Sequence, residues 1–365
     1  MAGAGVYTYQ LVRALAELPG EQRLFVFARP GLFDDVAAKQ PRLRVIHIDS
    51  QSRAARLAWE QAILPLLLRR LRIDVLHSPH HHTPLAARLP RVVTFHDVTF
   101  LLLPSRYPPV RRLYMAGVTR AAARVADAIV TPSRTVQRDV TGRLGVPAER
   151  VVAIPEAAGP QFMPIEDERT LARVRQQHQL PSRYILSVGS LEPGKNRTRL
   201  IEAYARLCSE GIECPLVIVG QPAWRYEGDH ELVRQLGLDG LVRFLGYVPD
   251  DDLPVLYSAA TFLAFPSLYE GFGLPVLEAI ACGTPVVTSD ISSPAEVAGN
   301  AALLVDPHDV SALTQAMGRL LSDASLRAEL SMRGLERARQ FSWQRTARET
   351  LSLYQIVAAQ RSHLA

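Results

Sequence analysis

Short apolar runs alternate with stretches of helical spacing along the whole chain. In the first half the runs predict strands at Leu24–Ala28, Arg44–Ile48, Val75–His77, Arg91–Thr94, Ala128–Thr131 and Val151–Ile154. In the second half they predict strands at Tyr184–Val188, Leu216–Val219, Val242–Phe244, Thr261–Ala264, Pro285–Thr288 and Ala302–Val305. The intervening helices include Val110–Val125, Thr198–Glu210, Asp229–Leu236, Asp251–Ala259 and Pro275–Ala281. Leu57–Leu71 reads as an amphipathic helix, and Ser133 suits the cap of a helix after the fifth run. Strict alternation of this kind predicts an α/β fold with parallel sheets. The pattern opens on a helix, Val6–Leu18, where a doubly wound domain ordinarily opens on a strand, so the first strand is expected to be missing.

The pattern also divides the chain. Around Met163–Leu180 it gives way to Pro164-Ile165-Glu166-Asp167-Glu168, a charged helical stretch and Pro181. The expectation is a first domain at 1–163, a linker at 164–180, a second domain at 181–341 and a C-terminal helix at 342–365 that crosses back. For 365 residues, two domains is also the ordinary count.

Composition narrows the function classes. The chain is 48% hydrophobic and 21% charged, as expected of a packed globular protein, and its formal net charge is +5. The excess fits an anionic ligand, an anionic membrane face or plain solubility. No basic run is interleaved with aromatics, so nucleic acid is not expected as a partner. Cys208, Cys214 and Cys282 form no CxxC pair, which suggests a reducing, cytoplasmic compartment. Three adjacent histidines, His80-His81-His82, point in different directions and are not expected to hold a metal. No apolar stretch is long enough to span a bilayer, and no secretory leader is recognisable.

The richest stretch is Ser267-Leu268-Tyr269-Glu270-Gly271-Phe272-Gly273-Leu274-Pro275-Val276-Leu277-Glu278. It follows a predicted strand, and Pro275 suits the first turn of a helix. The amides of Phe272, Gly273 and Leu274 are then exposed at a helix N-terminus, an anion site built from backbone. Glu270 and Glu278 do not suit a phosphate. They suit the hydroxyls of a ribose and a hexose. No Asp-x-Asp is available for Mg²⁺ or Mn²⁺, and no Gly-x-Gly-x-x-Gly opens a helix as a nicotinamide site would need.

Together with Ser187-Val-Gly189, Lys195-Asn196, Phe244-Leu-Gly246-Tyr247-Val248, Ala281-Cys-Gly283-Thr-Pro285 and Phe341-Ser342-Trp343, this stretch resembles the retaining family 4 glycosyltransferases. That resemblance covers nearly the whole chain. It implies the GT-B fold, two Rossmann-like doubly wound domains facing across a cleft. It implies a hexose moved from a nucleoside-diphosphate sugar to a glycan or lipid-linked acceptor, with retention and without a metal or other cofactor. Likeness to polysaccharide and O-antigen mannosyltransferases favours GDP-mannose, with a UDP-sugar behind it. Loose attachment to an anionic membrane face is a further expectation.

The resemblance also implies roles. Lys195 neutralises the donor diphosphate. Gly189 and Ser190 adjoin it, Ser190 standing where many members carry arginine, and either neutral hydrogen bonds or Arg199 compensate. Asn196 belongs to the same motif. Tyr247 and Val248 lie by the base, as a reader of its edge or as a core pair. Glu278 accepts from the ribose, Glu270 lies by the hexose, and Gly271, Phe272, Gly273 and Leu274 cradle phosphate. In the first half, His96 faces the transferred sugar or its phosphate, and Asp97 orients it or caps the next segment. Gly3 and Gly5 match a glycine-rich turn near phosphate and acceptor, with a plain N-terminal tail as the alternative. Arg111 and the loop His77–His80 fall on the acceptor side, with a plain surface helix face or loop as the alternative, and Ser133-Arg134, at another strand end, is expected to face the cleft. Two rivals remain: a nucleotide-sugar epimerase of related fold, and a non-catalytic sugar-nucleotide-binding protein.

Overall fold

The computed structural model describes residues 3–48, 52–212, 214–223 and 227–362. The chain forms two compact units, Met1–Glu156 with Ser342–Ala365, and Ala157–Phe341.

The first unit runs α1 (Gly3–Glu17), β1 (Leu24–Ala28), α2 (Asp34–Ala37), β2 (Leu43–His47), α3 (Arg53–Ala62), α4 (Leu64–Arg70), β3 (Leu76–Ser78), β4 (Arg91–Thr94), α5 (Thr99–Leu102), α6 (Pro109–Val125), β5 (Ala128–Thr131), α7 (Arg134–Leu144) and β6 (Val151–Ala153). The second runs α8 (Glu168–Gln177), β7 (Ile185–Val188), α9 (Arg197–Ser209), β8 (Leu216–Val219), α10 (Glu227–Gln235), β9 (Val242–Gly246), α11 (Leu253–Ala259), β10 (Phe262–Phe265), α12 (Leu274–Ala281), β11 (Val286–Ser289), α13 (Ser292–Ala298), β12 (Leu303–Val305), α14 (Val310–Ser322) and α15 (Ala324–Ala338). A last helix, α16 (Trp343–Ser362), returns to the first unit.

All strand pairs are parallel. The first unit carries a four-stranded sheet, β3-β4-β5-β6, and a separate pair, β1-β2. Strands β4 and β5 are buried at every position because helices cover both faces. Leu353 and Val357 of α16 pack on Val92, Ala128, Val130 and Ile154. Local chemistry sets the helix ends. The Ser133 hydroxyl accepts from the Val136 amide to start α7, and Gly145, left-handed at φ 66, ends it. Such a serine cap is worth ~1 kcal/mol.

Two expectations change. The stretch Leu57–Leu71 is two helices, broken at Ile63, because Pro65 lacks a donor and fits only the first turn of α4. Gly3 and Gly5 form no turn: they lie in the first turn of α1, the first described element. Helical spacing of Tyr7, Leu11, Ala14 and Leu15, all buried, carries the helix back to Gly3.

The second unit is a six-stranded sheet, β12-β11-β10-β7-β8-β9. The chain moves outward from β7 to β9, then starts again at β10 on the other side of β7. That reversal leaves a crevice at the carboxyl ends of β7 and β10, where ligands bind in such sheets. Residues 164–180, read as a linker, hold α8, whose Leu171 and Val174 are buried in this unit's core.

Candidate functional site

The switch point of the second unit gathers most of the expected donor residues. Gly189 follows β7 and Gly220 follows β8, and their backbones nearly touch. A Cβ on Gly220 would lie 1.9 Å from the Gly189 carbonyl oxygen. Gly220 also has φ +154, so glycine is required there on two counts. This close approach brings the loop 190–196 over the strand ends.

Lys195 lies over the Phe265 ring, 5.2 Å from its centre, and its Nζ donates to Glu270 Oε1 at 2.7 Å. The Ser267 hydroxyl donates to the same carboxylate oxygen, and the Glu270 amide donates to Ser292 Oγ at 3.1 Å. Ser292 is held at φ 59, a left-handed conformation that costs a non-glycine residue energy, so the contact is built in.

Beyond Glu270 the chain enters α12. Gly273 is left-handed at φ 100 and packs on Pro294. Among the described residues, the amides of Phe272, Gly273 and Leu274 donate to no protein acceptor. With the helix dipole and Lys195 they make a cationic corner suited to a diphosphate. One turn inside α12, Glu278 accepts from the Tyr257 hydroxyl at 2.9 Å. Burial raises its pKa to about 7, Asp250 adds to the rise, and the tyrosine bond opposes it. A carboxylate so poorly solvated gains from any hydroxyl that donates to it.

Other expected residues take different roles. The Asn196 amide nitrogen donates to the carbonyls of Pro266 and Pro307 at 3.0 and 2.7 Å, and its oxygen accepts from Arg199. Both amide hydrogens are used, so Asn196 positions the loop and has none left for a donor. Arg199 is engaged there too. Ser190 is exposed at the loop crest. Tyr247 and Val248 separate: Val248 is buried in the core, and Tyr247 is 61% exposed beyond the end of β9.

Arg197 was not foreseen. It is buried, with Nε on Asp229 Oδ2 at 2.8 Å, Nη1 on the Ser190 carbonyl at 2.8 Å and Nη2 on the Glu192 carbonyl at 3.1 Å. It braces the loop that carries Lys195. Its position directly after Lys195-Asn196 was the available signal, but a basic residue opening a helix reads as exposed.

The first unit has its own strand-end cluster. His96 lies just past β4, with Nδ1 3.3 Å from Glu156 Oε1 and Nε2 3.1 Å from the Pro79 carbonyl. Both ring nitrogens face acceptors, so the doubly protonated ring satisfies both. Burial works against that charge, but the bond and charge of Glu156, the Pro79 carbonyl and Asp97 outweigh it and raise the pKa. Glu156, itself buried, is a second residue the sequence did not reveal. It stands just beyond a strand end, where a charged residue marks a site. Asp97 does not hold the His96 ring: its Oδ1 accepts from the Thr99 amide at 2.8 Å and from the Thr99 hydroxyl, opening α5.

Behind His96 lies a hydrogen-bonded row. His77 bonds Tyr354 through Nδ1 and Thr94 through Nε2 at 2.7 Å, and Thr94 meets the Tyr7 hydroxyl at 3.2 Å. The Tyr7 ring stands edge-on to His96 at 4.8 Å. Burial pushes His77 down to about 3 and His81, stacked on Phe95, to about 4. His82 pairs with Glu60 at 2.8 Å, and no group of three or more metal-binding side chains is assembled among the described residues. Arg111 is exposed on α6, over the Tyr107 ring. Among the described residues no helix is long and apolar enough to cross a membrane.

Two α/β units with parallel sheets, the second doubly wound with a strand-end anion corner between two carboxylates, define a transferase of the GT-B class. Residues 1–158 match Glycosyltransferase Family 4, and residues 168–337 match Glycosyl transferases group 1. The chain belongs to this family and is a glycosyltransferase. It is 33% identical to the O-antigen chain mannosyltransferase B of Escherichia coli, over 98% of this chain and 97% of that one. Solved structures share the fold. Sucrose-phosphate synthase from Thermosynechococcus elongatus has a TM-score of 0.78 at 23% identity, covering 98% of this chain and 94% of that one. Anabaena HepE, in complex with UDP and glucose, has 0.75 at 20% identity, covering 96% and 95%.

Proposed function

We propose that the chain transfers mannose from GDP-mannose to a glycan or lipid-linked acceptor, with retention at the anomeric carbon and without a metal. The observation that carries this reading is the corner formed by Lys195 and the amides of Phe272, Gly273 and Leu274, with Glu278 one helical turn away. A diphosphate takes the corner, and the ribose hydroxyls take Glu278. As the glycosidic bond breaks, negative charge collects on the leaving diphosphate, and fixed donors aimed at it lower the barrier. Lys195 and the amides supply that charge stabilisation here. Glu270 accepts from the hexose once Lys195 turns to phosphate. In the first unit, His96 offers a ring N–H to a hydroxyl-rich ligand, and Glu156 raises its pKa. The leaving phosphate oxygen takes the acceptor proton, so no protein nucleophile is named.

The sugar is assigned from the E. coli relative, which is named a mannosyltransferase. The chain's cysteine usage and basic balance support a place in the cytoplasm, on the anionic inner face of a membrane. The test is transfer to a mannose-terminated acceptor with chelator present, using GDP-mannose, UDP-glucose and UDP-GlcNAc in parallel. Proton NMR of the product is expected to show an α-linked mannose from GDP-mannose alone. A product from a UDP-sugar alone would refute the donor assignment, and a β-linkage would refute retention.

A further inference from the structure

Helix α6 turns its small residues inward and large ones outward. Ala116, Thr119, Ala122 and Ala123 are buried, while Val110 is 82% exposed and Leu113 75%. Positions 110, 113, 117, 120 and 124 recur at helical spacing, so Val110, Leu113, Gly117, Arg120 and Arg124 share one outer face. The charge is as uneven as the packing. From Val98 to Ala126 the chain carries Arg106, Arg111, Arg112, Arg120 and Arg124 and no Asp or Glu. The formal net charge of the entire chain is only +5. The surplus is therefore gathered on this helix and the segment leading into it.

A cavity of about 380 Å³ opens beside the outer face. Phe100, Leu101, Pro104, Leu113 and Ala116 give it an apolar wall, and Arg112 and Arg120 also line it. A purely charged face would be a solvated one. Exposed apolar side chains set among guanidinium groups, with no carboxylate from Val98 to Ala126 or in the cavity lining, match a bilayer surface of anionic lipid. Arginine suits this place because its stem lies on apolar surface while its head reaches phosphate.

We propose that the outer face of α6, with the cavity beside it, docks on an anionic phospholipid surface. Val110 and Leu113 enter the headgroup boundary, Arg112 and Arg120 meet lipid phosphates, and the cavity takes an acyl segment. This rests on the membrane attachment proposed above and locates it.

The test is sedimentation of the full chain with vesicles of phosphatidylglycerol in phosphatidylcholine, and of phosphatidylcholine alone. The wild type is expected to bind the anionic vesicles only. R112E/R120E is expected to lose at least ~25-fold in binding, at ~5-fold per arginine, and V110D/L113D to lose binding as well. Both variants change exposed or cavity-lining side chains, and their stabilisation by GDP-mannose is expected to match the wild type. Failure of the wild type to bind anionic vesicles overturns the attachment itself. Undiminished binding by both variants places the attachment elsewhere and overturns the assignment to α6. Displacement by inorganic phosphate at constant ionic strength overturns it too, showing a free-ion site in place of a lipid surface.

Discussion

Lys195 Nζ and Glu270 Oε1 are joined at 2.7 Å, each side chain about one-sixth exposed, at 15% and 16%. The pair holds the cation at the mouth of the corner proposed for the diphosphate. A diphosphate must draw Lys195 off the carboxylate, and the carboxylate is then free for sugar hydroxyls. Glu270→Gln removes the competitor without changing shape. Bare GDP is expected to bind the variant a few-fold more tightly, while turnover falls by ~10²-fold through loss of the sugar contact. Lys195→Ala is expected to lose ~10²–10³ in kcat. Calorimetric titration and steady-state rates check both. Weaker GDP binding to Glu270→Gln would contradict the competition.

Glu278 is expected to make donor binding depend on pH. Its pKa is raised from 4.5 to about 7 by burial, so the folded protein prefers the protonated carboxyl. The stability it contributes is present below 4.5 and is lost as pH rises through about 7. A ribose that donates to the carboxylate favours the ionised form, so GDP affinity is expected to rise from about pH 5 to about pH 8. Glu278→Gln is expected to flatten that rise and to weaken GDP binding ~10-fold. An unchanged pH profile in the variant would assign the titration to another group.

In the first unit, burial works against a charge on the His96 ring, and Glu156, facing it, outweighs that and raises its pKa. The groups around the ring are Glu156, Asp97, the Pro79 carbonyl, Tyr7 and the row His77, His80 and His81. A histidine whose folded pKa is raised stabilises the fold below its ordinary value of 6.5, and this is lost as pH rises through the folded value. Glu156→Gln is expected to lower the His96 pKa. NMR titration of the ring reads this without any activity assay. An unmoved midpoint would show that Asp97 and the Pro79 carbonyl suffice.

Gly220 sets the geometry of the donor loop. Gly220→Ala puts a Cβ 1.9 Å from backbone, which no side-chain rotation relieves. The expected cost is several kcal/mol, seen as a large drop in thermal midpoint or as insoluble protein. A midpoint within a degree or two of wild type would contradict this close approach of the two strand ends.

The sheets were legible because buried parallel strands are short continuous apolar runs, and Leu24–Ala28, Arg91–Thr94, Ala128–Thr131 and Leu216–Val219 end where the pattern ends. The turn that opens α12 was legible because Gly271, Gly273 and Pro275 each have a backbone reason for their place. What stayed hidden is tertiary. Glu156 and Arg197 are charged residues of ordinary appearance, and only the fold shows that one meets His96 and the other meets Asp229 and two carbonyls. The Asn196 motif was seen, but its bonds to Pro266 and Pro307 were not, because these partners are distant in sequence. The break at Ile63 was missed because Pro65 lies inside an otherwise continuous apolar pattern.

The central claim is a metal-free donor site at the carboxyl ends of β7 and β10. Its most direct test is calorimetric titration of the full chain with GDP-mannose in chelator, beside Lys195→Ala and Glu278→Ala. The account predicts one saturable site in the wild type, weakened ~10-fold or more in each variant. Equal binding by all three proteins, or no binding of GDP-mannose or any UDP-sugar to the wild type, would contradict it.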